Sequence, residues 1–374
     1  MKTFEIIRED RKTNARIGIL RTKKGKIETP FFMPVATKAT VKYVSSLDLN
    51  KIKAKALISN SLILLFTNSL NSIKSAGGIG SFMKFRGINV TDSGGFQMYS
   101  KNIYLGSNEN GVFFINPING EKIFMTPEKN MELQYAIGGE VAMCLDSMPL
   151  IEESRKSIEE AVKKTTLWAK RCKIHHDLLQ TNVSKRQLLF GITQGGIYSD
   201  LREKSAKEIS SLNFDGYAIG GLALGETKEE EYKMIKIHKK IISKEKPTYL
   251  MGAGNPVEIL ESIALGVDMF DSRFPTRNAR HGTLFSYRGF IRILNKKYEK
   301  DNKPIDENCD CIACKNYSKS YIRYLLREEE GVGFYLATVH NISYLCNLFE
   351  KIKDEIKKGT FLSFKEKIKK IYAT

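Results

Sequence analysis

Eight short apolar runs, each separated from the next by a longer segment of mixed polarity, constrain this 374-residue chain more than any other feature. The runs are Phe31–Ala36, Ala56–Ser59, Ile88–Thr91, Val141–Leu145, Leu188–Thr193, Tyr217–Gly220, Thr248–Met251 and Val267–Phe270. Between them the apolar positions recur at helical spacing, most clearly over 151–177 and 227–243. Eight strand–helix alternations predict an α/β fold, and a closed (β/α)8 TIM-type barrel rather than an open doubly wound sheet. Two departures are expected. Residues 101–125 interrupt the third unit, and the stretch Gly111–Met125 reads as an inserted hairpin turning near Asn119-Gly120. After residue 281 the alternation stops, and two short strands, a cysteine cluster and two helices follow. The expected division is therefore a barrel with N-terminal strands over 1–281 and a zinc-binding, helical subdomain over 282–374.

Barrel enzymes build their sites from the loops at the C-terminal ends of the strands, so unusual residues there carry weight. Strand three runs into Asp92-Ser93-Gly94-Gly95-Phe96, strand four ends at Asp146, and strand five ends at Gln194. Strand six gives Gly220-Gly221-Leu222, strand seven Gly252-Ala253-Gly254, and strand eight Asp271 followed by Phe274–Arg280. A lone aspartate after a strand is often a helix cap or turn residue, and paired glycines often only make turns. Three carboxylates at three barrel mouths are a different matter. Displacement at an anomeric carbon needs a carboxylate nucleophile and a separate acid/base group. A third carboxylate suits the N–H edge of a guanine-like base, whose carbonyl Gln194 and the backbone of Gly221 can address.

Cys309, Cys311 and Cys314, followed 26 residues later by His340, make a Cys3His set suited to one tetrahedral structural zinc ion. Four protein ligands leave no position for a reactive water, so the metal is assigned to folding. Cys144, Cys172 and Cys346 sit on apolar stretches and read as packed thiols. Sixty Lys and Arg against 42 Asp and Glu give a formal charge of +18, which favours a polyanionic partner. Residues 272–300 concentrate the excess, with eight basic side chains and only Glu299 opposing them. The alternating charges of 349–371 read instead as a solvated helix face. No apolar stretch is long enough to span a bilayer, and the N-terminus lacks a signal-peptide core; a soluble, cytoplasmic protein is expected.

Six of these stretches together resemble bacterial-type tRNA-guanine transglycosylases (queuine tRNA-ribosyltransferases): Thr91–Gln97, Phe190–Gly196, Phe214–Glu226, Tyr249–Gly254, Asp268–Arg280 and the cysteine cluster with its histidine. The resemblance runs from about Thr29 to His340 in order and spacing. It implies exchange of the wobble guanine, position 34, of tRNAs with U-G-U anticodon sequences (those for Asp, Asn, His and Tyr) for a 7-deazaguanine. It implies, too, a covalent tRNA–enzyme intermediate and a homodimer. By the same resemblance Asp271 is the nucleophile and Asp92 the general acid/base. Ser93, Gly94, Gly95, Phe96, Asp146, Gln194, Gly221, Leu222 and Met251 form the base pocket. Gly252, Ala253, Gly254, Asn255, Pro256, Val257 and Glu258 are placed on the RNA, as are Thr276, Arg277, Asn278, Ala279 and Arg280.

The chain departs from the bacterial pattern in four places. Ser59–Leu64 replaces GNTYHL and keeps only its asparagine and leucine, Val35–Thr40 replaces VGTQGT, Ser147-Met148 replaces Glu-Cys, and Leu224 replaces valine. These departures concern the incoming base, with 7-aminomethyl-7-deazaguanine favoured over queuine, and the dimer contacts. Three rival readings remain: a barrel glycoside hydrolase, a non-catalytic RNA-binding partner subunit, and a hydrolase with a catalytic zinc. The basic stretch and base-reading constellation weigh against the first, the retention of both Asp92 and Asp271 against the second, and four filled ligand positions against the third.

Overall fold

The computed structural model describes residues 2–149 and 153–372, with Phe96 described by its backbone alone. The chain opens with an antiparallel three-stranded sheet, β1 (Phe4–Glu9), β2 (Arg16–Thr22) and β3 (Gly25–Thr29). Eight parallel strands then form the barrel: β4 (Phe31–Pro34), β5 (Ala56–Asn60), β6 (Ile88–Asp92), β10 (Val141–Met143), β11 (Leu188–Thr193), β12 (Gly216–Ile219), β13 (Thr248–Leu250) and β14 (Met269–Ser272). The omitted numbers belong to the insertion, a three-stranded sheet of β7 (Tyr104–Asn108), β8 (Gly111–Ile115) and β9 (Lys122–Met125). Neighbouring barrel strands are hydrogen-bonded throughout, and the ring is drawn together where Val35 bridges Ile58 in parallel. The amide of Ala36 donates to the Ile58 carbonyl at 2.7 Å there.

Each barrel strand is followed by helix. After β4 comes α1 (Ser46–Lys51), and after β5 three short helices, α2 (Ser61–Phe66), α3 (Leu70–Ser75) and α4 (Ile79–Met83). The remaining units continue with α5 (Pro127–Ile137), α6 (Arg155–Leu179), α7 (Ser199–Ser211), α8 (Lys228–Ile241), α9 (Pro256–Ala264) and α10 (Phe274–Arg280). All eight expected strands are present, displaced by no more than two residues at most ends. The start of the expected 151–177 helix lies outside the described residues at Ile151 and Glu152.

Two expectations are corrected and one is extended. The expected hairpin is present as β8 and β9, turning through 116–121, and a further strand, β7, joins it to make a three-strand meander. Its first strand, YLGSN, has little apolar alternation and is held by backbone pairing to β8 across a bulge. Beyond β15 (Thr283–Leu284) and β16 (Ile291–Arg292) the described residues form four α-helices rather than two: α11 (Ile312–Asn316), α12 (Lys319–Arg327), α13 (Gly331–Lys358) and α14 (Phe361–Tyr372). The segment 349–371 is also not one solvated face. Gly359, at φ +74°, ends α13 and turns the chain into α14. Phe349, Ile352, Ile356, Phe361 and Ile368 are buried against the barrel, and even Lys353 is buried between Glu350 and Glu28.

The reason α13 lies on the barrel is geometric. The last barrel helix, α10, has seven residues and spans about 10 Å, too little to cover the strand before it. Tyr344, Leu345, Leu348 and Phe349 of α13 fill that gap, packing with Phe32 and Phe270. Among the described residues no helix is long and apolar enough to cross a membrane.

Candidate active site and metal centre

The mouth is assembled from strand ends whose following loops are pinned by capping. Asn60, at the end of β5, caps α2 by accepting the Ile63 amide at 2.8 Å. Its Nδ2 is thereby aimed across to β6 and donates to Asp92 Oδ2 at 3.0 Å. The Gly94 amide donates to Asp92 Oδ1 at 2.9 Å. Burial pushes the Asp92 carboxyl up to about 7, against these two hydrogen bonds, and the charges of Asp271 and Asp146 add to the rise. Three carboxylates therefore share one electrostatic environment although they are far apart in the chain.

Asp146, buried beyond the end of β10, accepts from Ser93 Oγ at 3.0 Å and from Gln194 Nε2 at 2.7 Å. Burial lifts it to about 6. Gly95 lies so close that a Cβ there would collide with the Asp146 carboxylate, which explains the glycine. Gln194 is itself held by its backbone amide on Ser205 Oγ at 2.9 Å. Its Oε1 is buried without a partner and faces Gly221, where a Cβ would come within 2.5 Å. Gly221 also has φ +68°, so both space and backbone conformation exclude larger residues. Ser93, Gly94, Gly95, Asp146, Gln194 and Gly221 thus converge, with buried Leu222 and half-buried Met251 beside them. The Phe96 side chain lies outside the described part of the molecule.

Asp271 stands at the end of β14. Tyr249 Oη donates to its Oδ1 at 2.5 Å and the Gly252 amide donates to the same oxygen at 3.0 Å. Both bonds fall on Oδ1 rather than on Oδ2. Burial raises this carboxyl above its ordinary range, while Tyr249, Gly252 and the Arg273 cation oppose the rise.

The two segments placed on RNA divide by exposure. Gly252 and Arg277 are exposed, and Asn255, Val257, Asn278 and Arg280 are half-buried. Ala253, Gly254, Pro256, Glu258, Thr276 and Ala279 are buried, and Ala253 and Ala279 pack in the core. Helix α10, which carries Arg277 and Arg280, is fastened from α13: Asn341 Nδ2 donates to the carbonyls of Pro275 and Thr283, each at 3.0 Å.

Sequence reasoning missed several side chains. Tyr249 is a strand residue that looked like core, and only its phenolic oxygen marks it. Arg202, on α7, carried no sequence signal. It is fully buried, and its guanidinium donates to the carbonyls of Thr193, Gly220 and Gly196 at 2.9–3.0 Å, tying β11 to β12. Burial lowers that guanidinium to about 9. Glu226 accepts from the amides of Ala223 and Leu224 at 2.5 and 3.0 Å and so shapes the loop after β12. The signal available for Glu226 was its place at the end of the Phe214–Glu226 stretch.

Away from the mouth, Cys309, Cys311, Cys314 and His340 bring their ligand atoms within 4.8 Å of one another. Each sulfur lies 3.3–3.7 Å from His340 Nδ1. Such spacings are close to the edges of a tetrahedron with metal–ligand bonds of about 2.0–2.3 Å. His340 Nε2 donates to the Phe285 carbonyl at 2.7 Å, which leaves Nδ1 unprotonated and directed at the sulfurs. The donor set fits a divalent, thiophilic metal.

A family model described as queuine tRNA-ribosyltransferase matches residues 10–374. The chain is similar to queuine tRNA-ribosyltransferases of Staphylococcus aureus strains JH9 and N315, each 44% identical over 364 residues, covering 97% of this chain and 95% of the relative. With its barrel, its three mouth carboxylates and its Cys3His cluster, the chain belongs to the queuine tRNA-ribosyltransferase family.

Proposed function

We propose that the protein exchanges a guanine of tRNA for a 7-deazaguanine through a covalent intermediate on Asp271. The observation that carries this reading is the pairing of two differently treated carboxylates at one mouth. Asp271 has one oxygen fully engaged and the other free, whereas Asp92 is pushed up to about 7, where it exchanges protons readily near neutral pH. Asp271 Oδ2 attacks the ribose C1′ as the C1′–N9 bond breaks, and Asp92 gives a proton to the departing guanine. The incoming base loses its N9 proton to Asp92, attacks C1′ and releases Asp271. Charge and protons balance over the cycle.

Base reading follows from the same geometry. Ionised Asp146 accepts from the N–H edge, Gln194 offers its second amide hydrogen to the base carbonyl, and Met251 lies against the ring. The substrates are tRNAs for Asp, Asn, His and Tyr, read at position 34 of the U-G-U sequence, with the target nucleotide extruded so that C1′ becomes reachable. Among the 252–258 and 276–280 segments the exposed members, led by Arg277, meet the RNA; a planar guanidinium suits phosphate. The Cys3His cluster holds one structural zinc ion that stabilises the 282–374 subdomain, and a cytoplasmic homodimer is the expected working form. The preferred base is 7-aminomethyl-7-deazaguanine. Incubation with labelled guanine and tRNA tests the whole reading: label entering position 34, with an adduct that survives denaturation, supports it, and an abasic product would make the protein a hydrolase.

A further inference from the structure

The loop that orients Asp271 is anchored by a charge cluster outside the mouth. Gly252 donates to Asp271 Oδ1, and two residues later Gly254 presses on β14, where a Cβ would come within 2.5 Å of Ser272 Cβ. The loop is tied down from behind by Glu258, whose Oε2 accepts from the amides of Gly254 at 3.1 Å and Asn255 at 3.4 Å. The other oxygen of Glu258 receives the ammonium of Lys228, from the first turn of α8. The same ammonium meets Glu231 Oε2 at 2.7 Å.

We infer that Lys228 is a positioning residue for Asp271, acting through Glu258 and the Gly252–Gly254 loop. An ion pair with a half-exposed lysine ordinarily contributes little. Here, however, the Glu231 and Glu258 side chains are 0% and 7% exposed, so without Lys228 two buried acidic side chains lose the cation they share. Burial, then the charge of Glu258, already pushes Glu231 up to about 8 with the lysine in place. Glu231, raised that far, is the member of the pair that keeps a proton near neutral pH, so removing the ammonium leaves Glu258 as a buried carboxylate with no cation on its Oε1. It swings toward water and takes the loop with it, displacing the Gly252 N–H that, with Tyr249, is bonded to Asp271 Oδ1. Glu258, placed on the RNA by family resemblance, has both oxygens spent inside the protein.

This inference rests on Asp271 being the nucleophile, and the test separates the two. In the full-length enzyme Lys228→Met should lower kcat for guanine exchange about tenfold while KM for tRNA stays within about twofold, since a small misplacement of a reacting group costs rate rather than binding. Lys228→Arg should restore kcat. The double variant Lys228→Met/Glu231→Met removes the second buried acid and protects folding, yet it should remain slow, because no cation then holds Glu258 Oε1. Asp271→Asn is assayed alongside. Inactive Asp271→Asn with undiminished kcat in Lys228→Met, or full recovery in the double variant, overturns the positioning role and leaves the nucleophile intact. Active Asp271→Asn overturns the nucleophile itself.

Discussion

The barrel mouth and the cysteine cluster both gather polar side chains from distant parts of the chain, but they treat them in opposite ways. At the cluster, four ligand atoms lie within 4.8 Å of one another and the histidine's second nitrogen is bonded to a carbonyl, so the donors are turned on one another. At the mouth, three carboxylates are held by two hydrogen bonds each and kept apart, with burial raising all three. Saturation makes structure; convergence without saturation stores unfavourable electrostatics that a reaction can use. The two regions still communicate. His340 and Asn341 are neighbours on α13, one in the cluster and the other gripping α10, which carries Arg277 and Arg280.

The sharpest way to break this contrast is at Asp271. Asp271→Asn keeps size and most hydrogen bonding but cannot form the ester, so exchange should fall at least about a thousandfold. Binding of tRNA should change little, and the denaturation-resistant adduct should vanish; an active amide variant removes the nucleophile from the scheme.

Asp92 tests whether the mouth really stores instability. Asp92→Asn should lower exchange by about 10²–10⁴-fold, as expected for a lost general acid/base. Its effect on stability should have the opposite sign. A carboxylate raised from 3.8 to about 7 stabilises the fold fully only below the unfolded value, and that contribution is lost as pH rises through 7. The asparagine variant should therefore melt about 2–4 °C above wild type at pH 8 and match it near pH 4. Calorimetry showing no pH-dependent gain would mean the site is not strained.

For the cluster the order reverses. Cys311→Ala should lose zinc and lower the melting temperature by more than about 5 °C, because metal binding and local folding are coupled. Exchange should decline only as far as α10 is loosened through Asn341. A zinc-free protein with unchanged melting temperature and activity would dissolve the distinction between the two regions.

Smaller effects concern specificity. Neutralising Arg277 should reduce the slope of log affinity against log salt for tRNA by about 1. An unchanged slope would mark it as a bystander. Leu224 is half-buried two residues beyond Leu222, and under the proposed base reading it meets the 7-substituent. Leu224→Gly should improve queuine use about fivefold to tenfold in competition with the aminomethyl base, the range expected for relieving overpacking. Preferential queuine incorporation by the unaltered enzyme would reverse that account.

Much of this was legible from local pattern. Alternation of short apolar runs with helical periodicity determined the barrel, because each strand buried on both faces writes an unbroken apolar word. The spacing of Cys309, Cys311 and Cys314 announced a metal centre, and Asp92, Asp146 and Asp271 were marked by standing at strand ends. Within the insertion the hairpin of β8 and β9 was legible, but β7 was not, because it is held by backbone bonds that leave little trace in side-chain polarity. Only the tertiary structure decided that Tyr249 points its hydroxyl at Asp271, that Arg202 is buried, and that Lys228 bridges two carboxylates 27 residues apart. It alone decided, too, how far each aspartate is raised. A charge's environment is made by whatever closure of the barrel brings around it, and desolvation is a property of that enclosure, not of neighbours in sequence.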